Sequence, residues 1–255
     1  MTNLLENKNI LVMGVRNKWS LAWGIAEFAL NQGANVLFTY LGDREKEALQ
    51  KLVEGFPGVK LYPCDVASDE DIDRLFEQVR EYGVLHGLVH AIAHAKTEDL
   101  HNSFVNTSRE GFLHAMNISV YSLVAVARKA KELMTQGGSI LTLTYYGADK
   151  VMPGYNVMGA AKAALEASVR YLANDLGPCQ IRVNAISAGP VKTMSAMGIQ
   201  SFGEILNIVR EKAPLNKNVS LEELGAGAGF LLSDLSAGIT GQVVFIDSGY
   251  SIMGI

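Results

Sequence analysis

Short apolar runs alternate with longer amphipathic stretches along the whole chain. The apolar runs are typical of buried strands and are expected at 9–13, 34–40, 59–64, 85–92, 138–144, 181–186 and 243–247. The amphipathic stretches predict helices at 20–32, 44–54, 68–81, 109–134, 155–176, 204–212 and 222–232. Strands that alternate with helices in this way form parallel βαβ units. The pattern therefore predicts the α/β class, as a Rossmann-like, doubly wound parallel sheet with helices on both faces.

The chain is expected to be a single domain over residues 1–255. No linker rich in Pro, Gly or Ser divides it, and no repeat of about 20 to 50 residues is evident. In doubly wound sheets the ligand lies beyond the carboxyl ends of the strands. Residues that directly follow a strand are therefore the first candidates for chemistry.

Composition and charge narrow the classes of function. The 22 basic residues against 26 acidic ones give a net charge of −4, which lacks the basic excess of a nucleic-acid-binding protein. The two Cys residues are consistent with a reducing compartment. No signal peptide and no apolar run of about 18 residues is visible. A cytoplasmic protein is expected, with no nucleic-acid partner and no membrane insertion.

Three histidines, His86, His90 and His94, recur at every fourth position. On a helix this spacing would bring the three imidazoles to one face. The apolar residues between them, such as Val89 and Ile92, favour a strand instead. No metal site is therefore expected.

The loop after the first strand has the features of a dinucleotide site. Gly14 permits a tight turn, and Ser20 and Leu21 open a helix whose free N–H groups and positive end suit a pyrophosphate. Gly24 is expected to let this helix approach the sheet. Ser20 stands where the Gly-x-Gly-x-x-Gly fingerprint would have its second Gly. An ordinary turn that Ser20 caps is the alternative.

Two further strand ends would complete the nucleotide half. The segment 39–44, which includes Leu41, has no acid directly at the strand end and no basic pair to clamp a 2′-phosphate. NADH is therefore favoured, and NADPH stays open. After the third strand, Asp65 and Val66 would contact adenine through a carboxylate and an N–H group. The alternative is that Asp65 or Ser68 caps the next helix.

Tyr155 and Lys162 are seven positions apart on a predicted helix. Seven residues turn a helix by about 700°, so the two side chains lie about 20° apart and point into one cleft. There the ammonium would favour the phenolate and make the Tyr a better acid. Chance spacing is the alternative. Small residues over 159–164 indicate close packing of this helix, which fits a subunit contact as well.

Two more segments border the same cleft. Tyr145 and Tyr146 end the fifth strand, and one of them should face the cleft, although the pattern does not say which. The turn at 187–193 would offer its backbone and the Thr193 hydroxyl to a carboxamide. The apolar, Met-rich stretch beyond it predicts a lid at about 193–212 over an apolar substrate, or a helix packed on the core.

Together these segments resemble the short-chain dehydrogenase/reductase superfamily, and most closely its divergent branch, the bacterial enoyl-acyl-carrier-protein reductases. The Tyr-x6-Lys spacing of Tyr155 and Lys162 is typical of that branch, whereas ordinary superfamily members carry Tyr-x3-Lys. The resemblance covers essentially the whole chain. It also rests on the Gly14-x5-Ser20 loop, on Tyr145, and on the runs Tyr155–Gly159, Ser187–Pro190 and Ile239–Gly241.

This resemblance implies an activity, a cofactor and a set of site residues. NADH, or NADPH, would deliver a hydride to the β-carbon of a trans-2-enoyl thioester on acyl carrier protein, in the final step of the fatty-acid elongation cycle. A homotetramer is also implied. The implied cofactor-binding residues are Gly14, Ser20, Leu21, Leu41, Asp65, Val66, Ile92, Lys162, Val191, Thr193 and Ser195. The implied catalytic residues are Tyr145, Tyr155 and Lys162, and the implied substrate-binding residues are Ala95, Tyr145, Tyr155, Met158, Ala196, Ile199 and Phe202.

Two other functions stay open. A 3-ketoacyl or carbonyl reductase has the same fold, but the Tyr-x6-Lys spacing argues against it, as does Thr142, which is not a Ser. A non-catalytic, dinucleotide-sensing protein is the other, although such a protein would not need both Tyr155 and Lys162.

Overall fold

The computed structural model describes residues 3–191 and 202–254, and its centre is a seven-stranded sheet. The strand order is β3-β2-β1-β4-β5-β6-β7, and every pairing is parallel. The strand order reverses direction beside β1, so the carboxyl ends of β1 and β4 border the crevice where such sheets bind ligands. The strands are β1 (Asn9–Met13), β2 (Asn35–Tyr40), β3 (Lys60–Pro63), β4 (Gly87–His90), β5 (Gly138–Thr144), β6 (Ile181–Ala188) and β7 (Val243–Ile246).

Helices cover both faces of the sheet, as the alternating pattern predicted. One apolar cluster packs α3, α6 and α7 on one face, and a second packs α1, α2 and α9 on the other. The helices are α1 (Leu21–Asn31), α2 (Asp43–Leu52), α3 (Asp69–Arg80), α4 (Thr97–His101), α5 (Arg109–Met116), α6 (Ser122–Leu133), α7 (Asn156–Leu176), α8 (Phe202–Lys212) and α9 (Leu221–Leu232). The predicted fold class is confirmed.

The helix predicted at 109–134 is interrupted. A π-helical turn at Asn117–Tyr121 joins α5 to α6, and the short α4 before them was not predicted. Inside the turn, the Ser122 hydroxyl donates a hydrogen bond to the carbonyl oxygen of Ile118 at 2.6 Å. Such turns add one residue to a helix and are frequent at functional sites. The pattern did not reveal the insertion, because it offsets the apolar positions by only one residue within a stretch that stays amphipathic throughout.

The close approach of α1 is to α9, so the expectation that Gly24 faces the sheet is wrong. A Cβ placed on Gly24 would lie 2.9 Å from the carbonyl oxygen of Leu221. A Cβ on Gly225 would lie 2.5 Å from the carbonyl oxygen of Gly24 and 2.8 Å from Cβ of Phe28. Two glycines therefore let the backbones of these helices touch, and α9 fixes the position of α1.

We expect Gly225→Ala to lower the free energy of unfolding by about 1–3 kcal/mol, because an added methyl in a tight contact costs about that much. The methyl would meet backbone, which cannot swing aside as a side-chain end would. Guanidinium unfolding followed by circular dichroism measures the effect. Gly177→Ala is the control, since a Cβ there meets no heavy atom within 4 Å. Equal loss of stability in both variants would contradict the close-packing explanation.

Candidate active site

The turn after β1 is built to hold an anion against the start of α1. Gly14 has φ +96°, and a Cβ there would lie 2.2 Å from the carbonyl oxygen of Ala91, at the end of β4. The Ser20 hydroxyl accepts from the N–H groups of Arg16 at 3.1 Å and Asn17 at 3.0 Å, and it makes no capping bond to the helix. Ser20 therefore braces the loop and leaves the first turn of α1 uncapped, where Leu21 is the first residue. This arrangement fits a dinucleotide pyrophosphate.

The ends of β2 and β3 lie along the same edge of the sheet. Leu41, directly after β2, is 66% exposed. After β3, the Ser68 hydroxyl accepts from the N–H of Asp71 and caps α3, which settles one alternative left by the sequence. The carboxylate of Asp65 accepts instead from the N–H of Ala67 at 2.9 Å. Asp65 therefore stays at the strand end and does not cap the helix; the side chain of its neighbour Val66 is buried.

Lys162 is a buried cation on α7. Lys162 is only 6% exposed, and its Nζ donates a hydrogen bond to the carbonyl oxygen of Leu143 at 2.8 Å. Burial lowers the pKa of Lys162 to about 8, and the nearby Glu166 carboxylate opposes that change. One bond to Leu143 leaves two ammonium donors for a ligand.

Tyr155 stands directly before α7 and stays a neutral phenol. Burial raises its pKa, and the Tyr145 phenol raises it further. The expectation that Lys162 would favour the phenolate is therefore wrong: the ammonium donates to a backbone carbonyl, and desolvation dominates the titration of Tyr155. A protonated phenol donates a hydrogen bond, so Tyr155 is equipped to stabilise a developing negative charge.

Tyr145, and not Tyr146, shares a side with Tyr155. The Tyr145 and Tyr155 rings meet edge to face with centroids 5.0 Å apart, and burial raises the pKa of Tyr145 to about 12. The ring of Tyr146 turns away, toward Phe245 at 6.5 Å and Tyr250 at 6.0 Å. The sequence left this choice open because both residues follow the same strand.

A loop after β4 brings further predicted residues to the cleft. His94, which precedes Ala95, donates its N–H to the Ser119 hydroxyl at 3.1 Å, and Ser119 in turn lies 3.9 Å from the sulfur of Met158. The π turn therefore links the residue before Ala95 to Met158. The pattern gave no sign of Ser119, since a polar residue within an apolar helical stretch has many possible roles.

The three histidines do not share a helix face: His90 lies in β4, His86 directly before it and His94 in the loop after it, and each has its own partner. His90 is fully buried in β4, with Nδ1 3.2 Å from the Thr142 hydroxyl and Nε2 2.8 Å from the Ser122 hydroxyl. Burial, aided by Lys162, lowers the pKa of His90 to about 3, so this imidazole is neutral. His94 pairs with His114, which the sequence did not suggest, at 2.7 Å between ring nitrogens. Within residues 3–191 and 202–254, no three His, Cys, Asp or Glu side chains form a metal-binding group.

The nicotinamide side of the predicted site is described only in part. Ile92 lies beside Gly14, whose added Cβ would approach Ile92 Cγ1 to 3.3 Å, and Val191 packs on the α1–α9 side of the sheet. Phe202 is the first residue of α8. The predicted residues Thr193, Ser195, Ala196 and Ile199 lie outside the described residues.

Nothing in the described part of the chain could form a transmembrane helix: every helix there is too short or too polar to span a bilayer.

Comparison with curated proteins gives relatives over nearly the whole chain. The family model described as "Enoyl-(Acyl carrier protein) reductase" matches residues 14–251. The NADH-type enoyl-[acyl-carrier-protein] reductase FabI of Bacillus cereus is 52% identical over 254 residues, which are 98% of this chain and 99% of the relative. The NADPH-type enzyme of Staphylococcus aureus strain MRSA252 is 51% identical over 249 residues, 96% of this chain and 97% of that one.

Solved structures agree with these relatives. The Bacillus cereus enzyme with NADP+ and indole naphthyridinone superposes with a TM-score of 0.97 at 52% identity and covers 99% of both chains. The Anaplasma phagocytophilum enzyme with NAD has a TM-score of 0.95 at 49% identity, with 99% of this chain and 97% of that chain covered. The chain therefore belongs to the enoyl-acyl-carrier-protein reductases, NAD(P)H-dependent oxidoreductases of fatty-acid biosynthesis within the short-chain dehydrogenase/reductase superfamily.

Proposed function

We propose that the chain reduces the double bond of trans-2-enoyl thioesters on acyl carrier protein, with Tyr155 as the donor to the thioester oxygen. The observation that carries this assignment is the neutral Tyr155 phenol. It lies against Tyr145, directly before the helix that bears the buried Lys162. Tyr145 is assigned to the substrate side as a supporting residue. Ala95 and Met158 would line the same acyl site, since Ser119 contacts both Met158 and His94, the residue before Ala95.

Gly14, Ser20 and Leu21 are proposed to bind the pyrophosphate through the uncapped start of α1. When bound, the dinucleotide supplies the hydride that the β-carbon receives. Lys162 would direct its two remaining donors to the ribose hydroxyls of the nicotinamide half. The remaining proposed cofactor contacts are Leu41, Asp65, Val66, Ile92, Val191, Thr193 and Ser195.

Reduction at the β-carbon leaves negative charge on the thioester oxygen. Tyr155 would donate its O–H to that oxygen, an interaction that strengthens as the charge develops. Because the pKa of Tyr155 is raised, the phenol keeps its proton at neutral pH and stays a donor throughout. A proton taken up from water at the α-carbon would then complete the saturated thioester.

The segment 193–212 is proposed as a lid over the acyl chain, with Ala196, Ile199 and Phe202 as its contacts.

We further infer a homotetramer and a cytoplasmic location. The location is supported by the two free cysteines. The tetramer is supported by large exposed apolar side chains on the α5–α7 side, including Leu113 at 60% and Tyr171 at 75% exposure.

The test of the function is an assay with paired substrates and cofactors. We expect crotonyl or longer trans-2-enoyl thioesters to be reduced on the order of 10²-fold more efficiently, in kcat/KM, than 3-ketoacyl thioesters. NADH should be preferred to NADPH, whose extra 2′-phosphate is negatively charged. Asp43 and Glu45 stand at the start of α2, and the nearby cation Arg16 already pairs with Glu45 at 3.6 Å. A preference for the keto substrate would overturn the proposed function, and nucleotide binding without any turnover would point to a sensing role.

A further inference from the structure

One stripe of α7 carries an acidic residue that the proposed mechanism does not use. Tyr155, Lys162 and Glu166 are 7 and 11 positions apart, which are rotations of about 700° and 1100°. All three side chains therefore fall within about 20° of one line along the helix. Glu166 follows Lys162 by one turn and extends the line away from the phenol.

The end of β5 is attached to this stripe at consecutive residues. The Leu143 carbonyl accepts from Lys162 Nζ at 2.8 Å. The Thr144 hydroxyl donates to Glu166 Oε1 at 2.7 Å. Tyr145 follows directly and places its ring against that of Tyr155. The Glu166–Thr144 bond thus fixes the residue that lies between the Lys162 anchor and the substrate-side phenol.

The charges around Lys162 come from a few elements. From β4, the buried His90 is neutral, since its pKa is lowered to about 3. On α7 itself, Glu166 is the acidic group that acts on Lys162 and opposes the effect of burial on its pKa. Glu166 is half-buried, and burial raises its pKa. The Asp149 carboxylate also raises it, whereas the hydrogen bond from Thr144 and the cations Arg170 and Lys162 lower it. Glu166 makes no direct ion pair with Lys162, so it acts on the buried ammonium through space from one helical turn away.

We propose that Glu166 is a positioning residue for the reduction: its charge, one helical turn from Lys162, favours the ammonium form, and its bond to Thr144 holds the strand end that presents Tyr145. The inference rests on the proposed function, because Glu166 is assigned no contact with substrate or cofactor and acts only through residues assigned there. The alternative is that Glu166 merely ties α7 to the sheet and contributes stability alone.

Two variants of matched size separate these roles. Glu166→Gln keeps an oxygen that accepts from Thr144 but removes the charge. Thr144→Val keeps the charge but removes the hydrogen bond. The direct measurement is a pH titration of the full-length protein without nucleotide, by NMR of lysines labelled with 13C at Cε, with the Lys162 signal assigned by its loss in Lys162→Met.

In Glu166→Gln we expect Lys162 to titrate about 0.5–1 pH unit lower than in the wild type, because an opposing charge is gone. Fluorescence titration should then show NADH affinity close to wild type at pH 6.5 and about 2- to 5-fold weaker at pH 8. Thr144→Val should titrate like the wild type and lose mainly kcat. Glu166→Asp, which restores the charge, should restore the Lys162 titration.

Two results would overturn the inference. The first is that Lys162 titrates in Glu166→Gln at the same pH as in the wild type. The second is an equal drop in Tm for Glu166→Gln and Thr144→Val with no change in the pH dependence of NADH binding. Lys162→Met provides the separate check on the proposed function: if this variant binds NADH and turns over like the wild type, the role assigned to Lys162 fails, whatever Glu166 does.

Discussion

Tyr155→Phe is expected to lower kcat for an enoyl thioester by about 10²–10³-fold, the usual cost of removing one donor to a developing oxyanion. The Kd for NADH should stay within about twofold of wild type, since the phenyl ring keeps its place. In the wild type, that ring lies against Tyr145 and over Gly147, where an added Cβ would lie 2.5 Å from Tyr155 Cδ1. The substitution therefore removes a hydroxyl and little else.

Steady-state kinetics with crotonyl thioester give kcat, and quenching of protein fluorescence gives the Kd for NADH. Tyr145→Phe is the matched control, because it removes a second half-buried phenol from the same ring pair. A supporting role predicts a smaller loss for this control, about tenfold. Equal losses in the two variants would show that the division of roles between the phenols is wrong. Unchanged turnover in Tyr155→Phe would remove Tyr155 from the reaction.

Lys162→Met is expected to weaken NADH binding by about 10- to 10²-fold, because a hydrogen bond to a charged group contributes about 1.5–3 kcal/mol. Stability should respond differently. The wild-type ammonium is buried, with a carbonyl as its hydrogen-bond acceptor, and an ammonium is costly to desolvate. Met has a similar shape and carries no charge. We therefore expect the free energy of unfolding near neutral pH to be unchanged or higher in Lys162→Met.

The pH dependence provides a second signature of Lys162. Its folded-state pKa is lowered to about 8, whereas an unfolded lysine titrates near about 10.4. Between these values the unfolded chain binds more protons, so this residue makes wild-type stability rise with pH across that window. NADH affinity should fall over the same range, as the ammonium loses its charge.

Lys162→Met should lose the Lys162 contribution to both trends. Lys131→Met, at an exposed position of α6, should retain them. Equal NADH affinity in Lys162→Met and wild type would contradict the assignment of Lys162.

The sheet could be predicted from the sequence because its strands are apolar runs with clear ends. The strands Asn9–Met13 and Gly138–Thr144 were located to the residue, and Gly14 and Gly138 mark an end of each. The π turn at Asn117–Tyr121 could not be predicted, since it shifts the helical register by one residue without changing the polarity of any position. The partner of Gly24 was also hidden, because a glycine signals a close approach but not what is approached.

Sequence spacing bears on side chains and not on backbone. The spacing of Tyr155 and Lys162 predicts that both face one cleft, and this stays a prediction; the structure places Tyr155 directly before α7 and Lys162 buried within it. The main partner of Lys162, however, is the Leu143 carbonyl, and a carbonyl has no sequence signal. The raised pKa of Tyr155 comes from burial and from the Tyr145 phenol, and neither is visible in the spacing. The Glu166 interaction did have a signal, one helical turn beyond Lys162.

The contact between α1 and α9 has a consequence during synthesis. Gly24 lies in the helix that begins the pyrophosphate site, yet its backbone meets Leu221 of a 255-residue chain. A chain emerging from the ribosome exposes the apolar side of α1 until most of the sequence has been translated. Folding from the N-terminus therefore cannot complete the nucleotide site before α9 is made. Until then, chaperones or rapid elongation must protect the nascent chain. Truncation of the last few dozen residues would remove the outer support of the first loop.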